Sequence, residues 1–181
     1  MKTRLILCLV LVMMFLTSCA SLNRLTAELS DDAQADQYMD DILSAIQNQD
    51  TDKILSLFAP NALADSGHNE DNVATLFDYC PRTFQDYDNW AGPNGEATKE
   101  DGKRTVILYG TYDVPSGAVT YRFAFKYITQ DDNDEQNVGL WSLYVLAVEE
   151  EADLVYAYWG DDLFHPGIYI DIPNNEPTIE Q

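Results

Sequence analysis

The sequence predicts an α+β fold, with three N-terminal helices packed on a curved antiparallel sheet. Apolar residues recur at helical spacing from Tyr38 to Cys80, and Pro81 closes that half. Beyond it the pattern changes to period two. Tyr121, Phe123, Phe125 and Tyr127 alternate with Arg122, Ala124 and Lys126, which puts an aromatic row on one face of a strand.

The first helix is expected over Asp32–Asn48. Tyr38, Met39, Ile42, Leu43 and Ile46 form its apolar stripe, and Asp31 and Asp32 suit its start by capping and by the helix dipole. Asp50-Thr51-Asp52 restarts a helix carrying Ile54, Leu55, Leu57 and Phe58, which Pro60 stops. A loop with Ser66-Gly67-His68 leads to a third helix over Asn69–Tyr79, with Val73, Leu76, Phe77 and Cys80 on its apolar side. Thr83–Trp90 reads as a first strand, and Gly92-Pro93-Asn94-Gly95 through Gly102 as a loop. Arg104–Asp113 and Val119–Ile128 read as a hairpin turned at Pro115-Ser116-Gly117. Val138–Glu149 is apolar on both phases and reads as a central strand, followed by a short strand over Leu154–Trp159 and an extended segment over Gly167–Ile172.

Residues 1–18 stand apart from this domain. Lys2 and Arg4 form a basic start, and Leu5–Phe15 is an apolar run too short to span a bilayer comfortably. Leu16-Thr17-Ser18-Cys19 then reads as a lipobox, where an export signal is cut and the new first cysteine is lipidated. The expected organisation is a signal peptide at 1–18, a lipidated tether at 19–32, a folded domain at 33–172 and a frayed tail at 173–181. The expected location is a cell membrane or outer membrane, facing away from the cytoplasm. Two or three acyl chains anchor stably where one would be marginal.

Composition narrows the partners. With 31 acidic against 10 basic residues the formal charge is −21, and removal of Lys2 and Arg4 makes the remainder more acidic. Phosphate binding needs basic surface, so nucleic acid is excluded as a partner. An anionic lipid surface repels such a domain, so the lipid on Cys19 is its expected hold on the membrane. The acidity is not that of a disordered chain, because 46% of residues are hydrophobic and 11 Tyr, 7 Phe and 3 Trp supply a core. Past Cys19 only Cys80 remains, in an apolar context that reads as a buried, inert thiol.

Ile42-Leu43-Ser44-Ala45-Ile46-Gln47-Asn48-Gln49-Asp50, followed by Ile54-Leu55-Ser56-Leu57-Phe58-Ala59-Pro60-Asn61-Ala62, resembles the opening of the nuclear transport factor 2-like (SnoaL-like, cystatin-like) superfamily. Asn137-Val138-Gly139-Leu140-Trp141-Ser142-Leu143-Tyr144, Tyr158-Trp159-Gly160-Asp161 and Pro166-Gly167-Ile168-Tyr169-Ile170 look like a family of bacterial lipoproteins of unknown function within it. The resemblance implies a cone with a pocket between the sheet's concave face and the helices. Some such domains are isomerases or dehydratases, and many only bind.

In such a pocket Trp90, Tyr112, Tyr121, Phe123, Phe125, Trp141 and Trp159 are the candidate lining, although the same row also serves ordinary core packing. For an enzyme, Asp113 beside Tyr112 is a candidate base and His165, near Asp161 and Asp162, a candidate acid–base partner. The plainer readings are an aspartate entering a turn and a loop histidine. Asp131, Asp132 and Asp134 offer hard oxygens for a cation such as calcium, but lack the glycine and terminal glutamate of a helix–loop–helix calcium site. A solvated acidic hairpin explains them as well. No residue pattern calls for a cofactor. The sequence therefore points to a membrane-anchored, non-catalytic domain that binds a small molecule or an envelope protein. An isomerase-like enzyme, and a module that dimerises through the outer sheet face, are the alternatives.

Cys19→Ser is expected to abolish incorporation of labelled palmitate and to move the protein out of the membrane fraction or leave it unprocessed. The circular dichroism spectrum of the domain should not change.

Overall fold

The chain divides into two units, Met1–Ser30 and Asp31–Gln181. The computed structural model describes residues 30–67, 69–148 and 164–170, which lie almost wholly in the second unit. Within it, four helices pack on a five-stranded mixed sheet. The helices are α1 (Asp31–Asn48), α2 (Thr51–Leu57), α3 (Pro60–Ser66) and α4 (Asn69–Tyr79). The strands are β1 (Asp88–Glu100), β2 (Lys103–Ser116), β3 (Val119–Asp131), β4 (Gly139–Val148) and β5 (Gly167–Ile170), in the order β1-β2-β3-β4-β5. No described helix is long and apolar enough to cross a membrane.

α1 ends where Gln49 takes a left-handed φ of 52°. Asp50 then caps α2, its carboxylate accepting the Lys53 N–H at 2.9 Å. Pro60 ends α2 as expected, and it also begins a helix. Its missing N–H costs nothing at a helix N-terminus, so α3 occupies residues expected to form a loop. α4 runs over the expected residues.

The sheet departs from expectation at both edges. Residues 83–87 are irregular, and β1 instead runs through Gly92-Pro93-Asn94-Gly95, the stretch read as a loop. An edge strand tolerates this sequence because register shifts at Asn89/Ala91 and Ala91/Asn94 absorb the glycine and proline. Asp101-Gly102, both at positive φ, form the two-residue turn into β2. The β2–β3 turn falls at Gly117-Ala118, one residue later than expected, with Pro115 still inside the strand. At the other edge β5 pairs parallel to β4, so the sheet is mixed rather than antiparallel. The strand expected at Leu154–Trp159 lies outside the described residues.

The core forms where α1 and α4 meet one face of β2, β3 and β4. Ala35, Met39, Ile42, Ala45, Ile46, Val73, Leu76, Tyr112, Phe123, Phe125, Leu143 and Val145 are all buried there. The opposite face holds a smaller cluster of Ala124, Tyr144 and Leu146, against which Phe164 and Tyr169 pack. Gly139 opens β4 at φ 137°, and a Cβ there would lie 2.6 Å from the Ala59 backbone nitrogen. That crowding arises because the Ala59 N–H donates to the Leu140 carbonyl at 2.9 Å, drawing the α2–α3 junction onto β4.

Gly139→Ala should therefore destabilise the fold by about 2–3 kcal/mol in urea unfolding, combining backbone strain with the clash. Gly102→Ala, at positive φ but in open space, should cost roughly 1 kcal/mol.

Candidate functional site

The aromatic row of β3 lies under the helices, where each ring has a partner. Tyr121 meets Tyr79 of α4 edge-on at 5.8 Å, and Phe123 meets Phe84 edge-on at 5.9 Å. Phe125 stacks on Tyr112 at 6.0 Å and meets Tyr38 of α1 at 6.5 Å. Tyr127 stacks on Tyr38 at 3.7 Å, nearly parallel. Tyr112, Phe123 and Phe125 have no exposed surface. Burial raises the pKa of these phenols, that of Tyr127 to about 12 with a further push from Tyr38 and Asp41, so they remain neutral hydrogen-bond donors. Tyr112 donates to Asp36 Oδ1 at 3.0 Å.

The other sequence candidates are placed elsewhere. Trp90 is 39% exposed, with the Arg122 guanidinium 3.8 Å from its ring centroid. Arg122 is itself buried and grips Asp113 with two hydrogen bonds of 2.7 and 2.8 Å, a fork geometry that holds both carboxylate oxygens. Trp141 is half-buried, 5.7 Å from the Lys126 ammonium. His165 is exposed; its backbone N–H donates to the Tyr144 hydroxyl and its carbonyl accepts from Ser142 Oγ. Trp159 lies outside the described residues. Cys80 is buried and desolvation pushes its thiol up to about 12, which suppresses the thiolate.

Asp131, Asp132 and Asp134 organise the connection from β3 to β4. Asp131 Oδ1 accepts the Asn133 N–H at 2.9 Å, and Oδ2 accepts Asn137 Nδ2 at 2.9 Å. Asp132 accepts the Arg104 N–H at 2.8 Å. Asp134 caps the 3-10 turn Glu135–Asn137 through the Gln136 N–H, and its other oxygen accepts Asn61 Nδ2 from α3 at 2.9 Å. Among the described residues no group of His, Cys, Asp or Glu is arranged to hold a metal.

A cavity of about 460 Å³ lies instead between α1 and the irregular segment before β1, within the size range of small-molecule sites. Its described lining is Asp40, Leu43, Ser44 and Gln47 on one side and Phe84, Gln85, Asp86 and Tyr87 on the other. The four α1 residues stand at i, i+3, i+4 and i+7, a single stripe along the helix. The facing segment is fixed by its neighbours: the Gln85 N–H donates to the Pro115 carbonyl at 2.8 Å, and Ser116 Oγ donates to the Thr83 carbonyl at 2.6 Å. Tyr87 closes one end. Its hydroxyl donates to Asp40 Oδ1 at 2.9 Å and its ring meets Tyr112 edge-on at 5.2 Å. Burial and the Asp40 hydrogen bond both raise the Tyr87 pKa, so the proton stays on the phenol.

Chemically the groove offers two carboxylates, two side-chain amides and two hydroxyls beside the apolar Leu43 and Phe84. Sequence reading missed it. Asp40, Ser44 and Gln47 fall outside the apolar stripe expected for α1, and Phe84–Tyr87 falls within the strand expected over Thr83–Trp90. The one available signal was a polar stripe bordering the apolar one.

The Asp131 hydrogen bonds hold its carboxyl below the ordinary value of 3.8, Asn137 contributing most. The folded state therefore binds this proton less readily than the unfolded chain. The resulting stability is full above the ordinary value and is lost as pH falls through the depressed one. Asp131→Asn should lower the melting temperature at pH 7 by a few degrees. The gap from the unaltered protein should close on titration below pH 3.8, read by thermal unfolding.

A family model described as Domain of unknown function (DUF5104) matches residues 41–150. That span runs from within α1 past the end of β4 and includes every lining residue of the groove except Asp40. No curated protein matches the chain.

Proposed function

The chain belongs to the DUF5104 family, and from that premise we propose that it is a lipid-anchored, extracytoplasmic domain that binds a small ligand in the groove between α1 and residues 84–87, without catalysis. The observation that carries this reading is the groove itself: a cavity of about 460 Å³ with polar groups converging over an apolar strip. The lipobox at Leu16–Cys19 supports the location. The order of helices followed by a sheet, with an aromatic row beneath α1, supports the nuclear transport factor 2-like resemblance. In this reading the core has taken over the aromatic row, and the ligand site has moved to the outer flank of α1.

The non-catalytic part of the reading is supported by Asp113, the residue most suited to act as a base. Both of its oxygens are held by Arg122. Proton abstraction there would have to break a forked ion pair in which the arginine side chain is 8% exposed.

Ser44→Trp fills the groove from its exposed rim. It is expected to leave the melting temperature within about 2 °C of the unaltered protein, as surface substitutions do, while abolishing the thermal shifts caused by any groove ligand found in a small-molecule and peptide screen. Shifts that survive Ser44→Trp would sink the proposal.

A further inference from the structure

We infer that the groove takes a ligand with a protonated primary amine on a short hydrocarbon body. The inference rests on the reading of the groove as a ligand site. The described lining contains Asp40 and Asp86 and neither Lys, Arg nor His. Tyr87 occupies Asp40 Oδ1, which leaves the second oxygen of Asp40 for another donor. Asp40 lines one wall at the Tyr87 end, and Asp86, the residue before Tyr87, lines the facing wall. From that end Leu43 and Phe84 offer apolar contact, and Ser44 and Gln47 continue the stripe along α1.

From Asp40 to Gln47 the helix advances roughly 10 Å. That length suits an alkyl chain of about five carbons with its charged head at the Asp40 end. An anion would meet two carboxylates in a chain whose formal charge is already −21. A divalent metal is disfavoured because no group of His, Cys, Asp or Glu among the described residues is arranged to hold one. The shared chemistry is an alkylammonium, whether it arrives as a free amine or as a lysine side chain.

The test is calorimetric titration of the full chain in non-ionic detergent with n-pentylamine, 1-pentanol and pentanoate, which differ only at the head group. Pentylamine should bind best. Asp40→Asn and Asp86→Asn should each weaken it roughly threefold, the scale of an exposed ion pair, and raised salt should weaken it further. Asp86 makes no hydrogen bond or ion pair among the described residues, so its variant separates charge from folding. Acetylated, amidated lysine separates the sources: tighter binding than pentylamine supports a peptide side chain, weaker binding a free amine. Pentanol or pentanoate binding as tightly as the amine, and blocked by Ser44→Trp, would overturn the charge assignment and keep the groove. Binding of none of the probes would overturn the assignment, and a screen that also yields no groove ligand would remove the site.

Discussion

The contact on which the rest of the molecule depends is that between α1 and the aromatic row of the sheet. Tyr38 stacks flat on Tyr127 and meets Phe125 edge-on, while Met39, Ile42 and Ile46 bury the same face of the helix. Most of a helix's stability in a folded protein comes from packing such a face. Once α1 lies across β2 and β3, its flank carries Asp36 to Tyr112 and Asp40 to Tyr87. The first ties α1 to β2, and the second ties it to the segment before β1 along the groove. Core and groove are thus two sides of one helix.

The helical half of this arrangement is legible in the chain because its signals are local. α4 has its expected bounds, and α1 starts one residue before its expected start. α3 was hidden because proline carries two meanings, a stop for the helix before it and a good first residue for the one after it. The path of β1 was hidden for a related reason. Gly92-Pro93-Asn94-Gly95 has turn composition, and only the edge position and two register shifts make it a strand. The parallel direction of β5 depends on where the chain re-enters the sheet, which no local pattern encodes.

The site was less legible than the fold. The aromatic row was recognised as a row, yet residue type alone does not distinguish rings that line a cavity from rings that fill one. Packing decides it: Tyr38, Tyr79 and Phe84 each supply a partner ring. The groove joins α1, which carries Asp40, to the segment of Asp86 across three intervening helices, a proximity created only by folding. The acidic β3–β4 connection illustrates the same point. Its carboxylates suggest a cation when read in a line, but in space they accept amide protons from Asn61, Arg104, Asn133 and Asn137.

The forked pair of Arg122 and Asp113, capped by Trp90, sits on the sheet face opposite the aromatic row. Neighbouring strand positions point to opposite faces, so sliding β3 by one residue would turn Phe123 and Phe125 outward and drive Arg122 in among the apolar side chains of α1. The same slip would separate two charges that are paired directly across β2 and β3. Hydrophobic burial makes the correct alignment favourable, and the ion pair makes the nearest wrong alignment prohibitive. The charge pair on the far face of the sheet therefore works as a lock on strand alignment.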